Sequence, residues 1–437
     1  MLSAAMTAAD SHHGNTRQGK ADLRREIDAI WRIESPRLIA ALVRYVRDVA
    51  LAEDLAQDAL VAALENWPQD GIPDKPGAWL MTTAKRRAVD HWRHRQLIER
   101  KHEQIEYEED RLVPDPEQLA DDGALSSTEN DVLRLMFIAC HPVLSTEARI
   151  ALTLRLLGGL TTDEIARAFL VPEATVAQRI VRAKKTLAKE RVPFETPDAD
   201  GLAERLGSVL DVIYLVFNEG YSASRGDDWL RPALCDDARR LGRMLAELAP
   251  HEPDVHALVA LMELQASRFA ARTATDGTPI LLADQNRAQW DRLMIRRGLA
   301  ALDLAHRYAQ GPTAFLLQAE IAACHARATA PDETDWQRIV TLYELLGLIS
   351  PSPIVELNRA VAVSMASGPA VALALLNELR DEPVLRDYHL LPSVRGDFLF
   401  RLERFDEARR EFERAAELAG NARERELLLA RAEKCTH

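Results

Sequence analysis

The sequence predicts an all-α protein: two small helical domains, the second a helix-turn-helix, followed by a larger domain of helical repeats. Three observations carry this. Apolar residues recur at helical spacing through most of the chain. No stretch alternates in the way that builds a large sheet. From residue 201 onward the composition turns Ala/Leu-rich, with a weak internal repeat near the end. The 437 residues exceed one ordinary core, and at ~150 residues per domain they suggest about three. Apolar residues make up 47% and charged residues 28%, the composition of a globular chain rather than of a disordered or fibrous one.

The elements follow in order. Residues 1–25 are small and polar and read as a loose tail. A helical pattern over 26–66 gives way to a turn-rich patch, Trp67, Pro68, Gly71, Pro73, Pro76 and Gly77, expected to be a loop. A basic helix is expected from about Ala78 to Glu99, closing a first domain at 26–98. Residues 99–125 read as an acidic linker containing Pro114 and Pro116. Residues 126–191 read as the helix-turn-helix domain, 192–200 as a second linker, and 201–437 as an α-helical extension. Asp276-Gly277, between Thr273 and Asp284, suggests one small hairpin. Ala360, Val363, Ala372, Leu376 and Leu379 recur 36 residues later as Gly396, Leu399, Ala408, Phe412 and Ala415. Small residues where two helices touch, with a large apolar one a turn later, suit the tetratricopeptide helix pair of ~34 residues.

Net charge is −13, but the charge lies in blocks. Residues 84–101 hold seven Lys/Arg and two acids, a local +5; residues 103–122 hold nine acids and one Arg, a local −8; residues 179–191 hold six Lys/Arg and one Glu, again +5. Phosphate attraction follows the local field, so the acidic average does not exclude nucleic acid.

Within 161–189, Thr161 and Glu164 have the spacing of a capping box. Ile165, Ala166 and Phe169 supply an apolar face, and Pro172 suits the first turn of the next helix. At ~100° per residue, Val176, Ile180, Ala183 and Leu187 form one stripe, facing a core. Gln178, Val181, Arg182, Lys185 and Lys189 fall opposite, a basic face with one amide. Arg and Gln can read base edges while Lys holds phosphates, as a recognition helix requires. The competing reading is a helical hairpin with a solvated basic face.

In the basic helix, Met81, Ala84, Ala88 and Trp92 share one face, and Arg86, Asp90 and Arg93 lie opposite, with Arg87 and His94 beside them. Trp79 and Trp92 bracket the run. Cations interleaved with aromatics suit melted or single-stranded nucleic acid, and tryptophans acting as core anchors are the plainer alternative.

No phosphate-cradling P-loop, HExxH, GxSxG or dinucleotide glycine fingerprint is present, so no enzyme activity and no cofactor is expected. No catalytic residue and no metal site is assigned: His91 and His94 are three apart on a helix, but their surroundings are basic. Cysteines 140, 235, 324 and 435 form no CxxC, which argues against disulfides and fits a reducing cytoplasm. No apolar run approaches the ~18 residues of a membrane helix, so no membrane contact is expected, and the opening MLSAAMTAAD lacks the pattern of a secretory signal. Cys140-His141 reads as a helix-end packing pair. Asp284, Arg287, Trp290 and Asp291 read as a salt-bridged structural network in preference to a functional surface.

The succession AEDLAQDALVAALENWP, WLMTTAKRRAVDHWRHR, a linker, and LRLLGGLTTDEIARAFLVPEATVAQRIVRAKKTL resembles the extracytoplasmic-function sigma factors of bacterial RNA polymerase over roughly residues 26–190. ERLGSVLDVIYLVFNEGYSA, DQNRAQWD and PSPIVELNRAVAV resemble the long, tetratricopeptide-related extension of one subgroup. The resemblance implies that the first domain binds the clamp helices of the polymerase largest subunit and reads the melted −10 element. It implies that the second docks in the −35 major groove and touches the polymerase flap. It assigns polymerase binding to Glu53, Asp54, Gln57 and Asp58; −10 contacts to Lys85, Arg86, Arg87, Asp90 and Arg93; and −35 contacts to Ala177, Gln178, Arg179, Val181, Arg182 and Lys185. Arg86 stands where Asn is common in the family, and Ala174 where Gly is common. The extension is expected to control the sigma portion in cis, through intramolecular contact. Read without the resemblance, the same residues suit a stand-alone helix-turn-helix regulator with a repeat sensor, or a repeat scaffold for peptides.

Overall fold

The computed structural model describes residues 6–102, 128–169, 171–195, 199–222, 230–275, 277–380 and 382–435. The described residues are helical apart from short connections and isolated bridging such as the antiparallel bridge of Thr273 to Pro279. They divide into two compact units. The first holds residues 1–167 and 171–212, and the second holds residues 168–170 and 213–437.

The first unit opens with α1 (Met6–Val46), α2 (Val49–Asp70) and α3 (Pro76–His102). Helix α1 starts at Met6, so residues 6–25 extend the first helix where a loose tail was expected. The segment has no proline before Pro36, and Ala, Gln, Arg and Lys are good helix formers. Asp48 caps α2, its Oδ1 accepting from the N–H groups of Ala50 (2.7 Å) and Leu51 (3.0 Å). The expected loop is shorter than the turn residues suggested. Trp67 is buried and meets Trp79 edge-to-face at 5.4 Å, which holds the last turn of α2 in place through Pro68. Gly71, at φ +84°, then ends the helix, its N–H bonding the Trp67 carbonyl at 3.0 Å. Pro76 and Gly77 already belong to α3. The core joins Ile27, Trp31, Ile39 and Leu42 of α1, Leu55 and Ala59 of α2, and Leu80 and Ala84 of α3. The acidic segment 103–122 lies outside the described residues.

Helices α4 (Thr128–Ala139), α5 (Thr146–Leu156), α6 (Thr162–Phe169) and α7 (Glu173–Lys189) follow. The capping box is present: the Glu164 N–H donates to Thr161 Oγ1 (3.1 Å), and the Thr161 N–H donates to Glu164 Oε2 (2.8 Å). Thr161→Ala is therefore expected to cost about 1 kcal/mol, seen as a small fall in the denaturant midpoint at unchanged slope. Pro172 sits one position earlier than anticipated, as the N-cap of α7, with its carbonyl accepting from Thr175 at 2.9 Å. Helix α8 (Ala199–Tyr221) begins in this unit. The extension was expected to begin at 201, but residues 201–212 group with the first unit, where Ser208 donates to the Cys140 carbonyl (2.6 Å) and accepts from Arg149 (2.6 Å). Cys140 also meets Thr153 Oγ1 at 3.2 Å, and His141 Nδ1 accepts from the Val143 N–H at 3.1 Å beyond the end of α4.

The second unit continues with α9 (Pro232–Leu248), α10 (Pro253–Ala266), α11 (Arg292–Tyr308), α12 (Ala314–Arg327), α13 (Trp336–Ile349), α14 (Pro353–Ser367), α15 (Pro369–Glu378), α16 (Leu390–Arg401), α17 (Phe405–Leu418) and α18 (Ala422–Lys434). Two apolar cores meet at α12. Its Leu316, Ala319 and Ala323 pack with α10 and α11, and its Leu317, Ile321 and Cys324 pack with α13 and the helices after it. The repeated positions coincide with the pairs α14–α15 and α16–α17, and all but Leu379 are fully buried. A Cβ on Gly396 would lie 2.7 Å from the Phe412 ring, which is why the smallest residue stands there.

The expected hairpin reduces to the bridge at Thr273, supported by Ile280 N–H to the Arg272 carbonyl at 2.7 Å; Asp276 is outside the described residues. The DQNRAQWD segment is a structural network. Asp291 caps α11, and buried Arg287 donates to the carbonyls of His325 (2.8 Å) and Ala328 (2.9 Å) and to Thr334 Oγ1 (2.8 Å). Its guanidinium lies 5.1 Å from the buried Trp290 ring, while Asp284 is exposed. Among the described residues no helix is long and apolar enough to cross a membrane.

Candidate nucleic-acid interface

Helix α7 presents the face its periodicity implies. Val176, Ile180, Ala183 and Leu187 are buried, and Ala177, Gln178, Val181, Arg182 and Lys185 are exposed. Arg179 is half-buried at the edge of that face. Val181 keeps half of its surface in water, an apolar side chain in the middle of a basic face. Such a face offers bidentate donors, an amide and an apolar contact together, the mixture that major-groove edges require.

Helix α3 presents a second basic face. Met81, Ala84 and Ala88 are buried, and Trp92 is half-buried. Arg86, Arg87, Asp90 and Arg93 are exposed. Lys85 is half-buried, its ammonium 5.7 Å from the Tyr45 ring centroid. Trp79 packs against Trp67 and so serves the core, whereas Trp92 keeps a partly open ring beside the cations. The side chain of His94 lies outside the described residues.

The acidic residues of α2 divide. Asp54 and Asp58 are exposed and Gln57 is half-buried, whereas Glu53 is buried, only 4% exposed. Its Oε1 accepts from Arg155 Nε at 2.6 Å, and its Oε2 pairs with Lys184 Nζ. Burial raises the Asp54 carboxyl from its ordinary value, and the nearby Lys184 opposes that rise. The Glu53 contacts join two halves of the unit, α1–α3 and α4–α7, and two further ion pairs join the same halves. Arg32 of α1 meets Glu164 of α6 at 3.0 Å, and Arg44 of α1 meets Asp131 of α4 at 3.2 Å. Sequence reasoning placed Glu53 with the displayed acids and did not single out Arg155 or Lys184. The available signal was Glu53 standing among Ala52, Ala56 and Ala59, on the small-residue face that a packed helix buries.

Residues 30–98 match the family model "Sigma-70 region 2", residues 134–187 match "Sigma-70, region 4", and residues 205–306 match a family of unknown function (DUF6596). An uncharacterized protein, R00370, of Rhizobium meliloti (strain 1021) is 45% identical over 395 residues, 89% of this chain and 91% of that protein. The RNA polymerase sigma-E factor of Streptomyces avermitilis is 31% identical over 180 residues, 41% of this chain and 90% of that protein. The ECF RNA polymerase sigma factor SigC of Mycobacterium tuberculosis is 25% identical over 186 residues, 43% of this chain and 90% of that protein.

Proposed function

This chain belongs to the RNA polymerase sigma factors, of the extracytoplasmic-function-like kind, and we propose that it binds core RNA polymerase and directs promoter-specific initiation. The observation that carries the proposal is the outward face of α7. Gln178, Val181, Arg182 and Lys185 lie exposed over a fully buried apolar stripe, which leaves a reading surface on a rigid support. With Ala177 and Arg179 they contact the −35 element. Lys85, Arg86, Arg87, Asp90 and Arg93 of α3 contact the melted −10 element. Asp54, Gln57 and Asp58 of α2, with Glu53 when it is released, meet the clamp helices of the largest subunit, and the second helical domain touches the flap. Phosphate attraction from the two basic blocks supplies affinity, and the outward α7 face supplies base choice. The protein works in the cytoplasm, and the helical extension, related to tetratricopeptide repeats, controls the sigma portion in cis.

The test is run-off transcription with purified core polymerase. The full chain is expected to direct starts at a defined promoter, and the chain alone is expected to bind duplex DNA poorly. Specific duplex binding without polymerase, and no promoter-directed start with it, would instead identify a stand-alone regulator.

A further inference from the structure

We propose that Glu53, Arg155 and Lys184 form an internal latch that holds the two DNA-reading halves closed and withdraws part of α2 from the polymerase. The inference rests on the reading of α2 as the polymerase-binding helix.

A carboxylate offered to a partner protein is normally left in water. Glu53 is instead enclosed, with each oxygen taken by a cation of the other half: Arg155 of α5 at Oε1 and Lys184 of α7 at Oε2. Arg155 also donates to the Leu160 carbonyl at 3.2 Å, which fixes its guanidinium against the turn that follows α5. The cations are themselves largely buried, at 16% and 13% side-chain exposure.

The backbone fits the same arrangement. Gly159, at φ +69°, lies so close to α1 that a Cβ there would sit 3.1 Å from Ser35 Oγ and 3.2 Å from the Arg32 Cα. Ser35 is fully buried beneath it. A glycine in the left-handed region allows this close approach, which a side chain would block.

A buried ion pair contributes little net stability, because desolvation offsets the attraction. It does specify one arrangement, and it can be exchanged for another when a competing partner supplies charge. Closing the latch leaves the exposed α7 face untouched. What is withdrawn is Glu53, one of the four α2 residues placed at the polymerase, so the closed form is weakened at polymerase binding and not at base reading. Polymerase binding to such a chain is weakened by the fraction that is closed.

The experiment uses the full chain with reporter cysteines at the exposed positions Glu65→Cys on α2 and Ala188→Cys on α7. The native cysteines are buried, and burial pushes the Cys140 and Cys235 thiols up to about 12, so labelling at neutral pH goes to the introduced pair. Spin-label distances and core-polymerase affinity are then measured together. The parent is expected to show one short distance. Arg155→Met with Lys184→Met is expected to lengthen and broaden it, and to tighten polymerase binding about ten-fold if about nine-tenths of the chain is closed. Lys184→Met alone, which keeps Arg155 on the carboxylate, should move both readouts the same way by less, with helix content unchanged. An unaltered distance in both variants overturns the latch. A lengthened distance with unaltered polymerase affinity keeps the latch and overturns the placement of polymerase binding on α2.

Discussion

Arg182→Ala is expected to lower −35-dependent transcription about ten- to a hundred-fold while core-polymerase binding survives. The side chain projects from the exposed face of α7, one turn beyond Gln178 and beside Val181. A bidentate arginine–guanine contact discriminates by about 1–3 kcal/mol, and each ~1.4 kcal/mol is ten-fold. The buried stripe behind it is untouched by the substitution, so the fold is expected to remain. Lys185→Ala serves as the contrast. A phosphate contact carries no sequence information, so its loss should weaken binding to all promoters alike and flatten the salt dependence by about one unit of slope. Run-off transcription on promoters with and without a −35 element separates the two. Loss of polymerase binding in Arg182→Ala, with promoter dependence intact, would remove the residue from the reading face.

A chain ended after residue 200 is expected to lose on the order of 5 kcal/mol of stability in its first unit relative to one ended after Val212. The extension was expected to begin at 201, but residues 201–212 belong to the first unit. Removing them takes away the buried side chains of Leu206, Val209, Leu210 and Val212. At about 1.5–3 kcal/mol each, reduced because real unfolded chains already bury some surface, they outweigh the lost hydrogen bonds of Ser208 to Cys140 and Arg149. Thermal unfolding of the two truncated chains checks the boundary, and equal melting would move it back to 200. The chain ended after Val212 then gives the clean test of control in cis. Its transcription is expected to differ markedly from that of the full protein, and identical output would dispose of regulation by the extension.

Much of the architecture was legible from local rules. The capping box, the apolar stripe of α7 and its basic outer face depend on residues within one or two turns of each other, and helical periodicity exposes them directly. The repeat at 360–379 and 396–415 was readable for the same reason, because a small residue opposite a large one is the local trace of two helices in contact. Element ends were less legible. Pro68, expected in a loop, was absorbed into α2 because tertiary packing, such as Trp67 against Trp79, outweighs the local penalty.

By itself, the sequence determined that the chain is helical, that two basic faces exist, and which side of α7 looks outward, since these follow from spacing along single helices. Only the tertiary structure decided the fate of Glu53. Its partner Arg155 is 102 residues away, and no periodicity links a carboxylate to a cation across that distance. Whether such a charge faces water or a neighbour is set by which surfaces the folded chain brings together. For the same reason the membership of residues 201–212 in the first unit became visible only through the fold, where Ser208 bonds Cys140 just beyond α4 and Arg149 of α5.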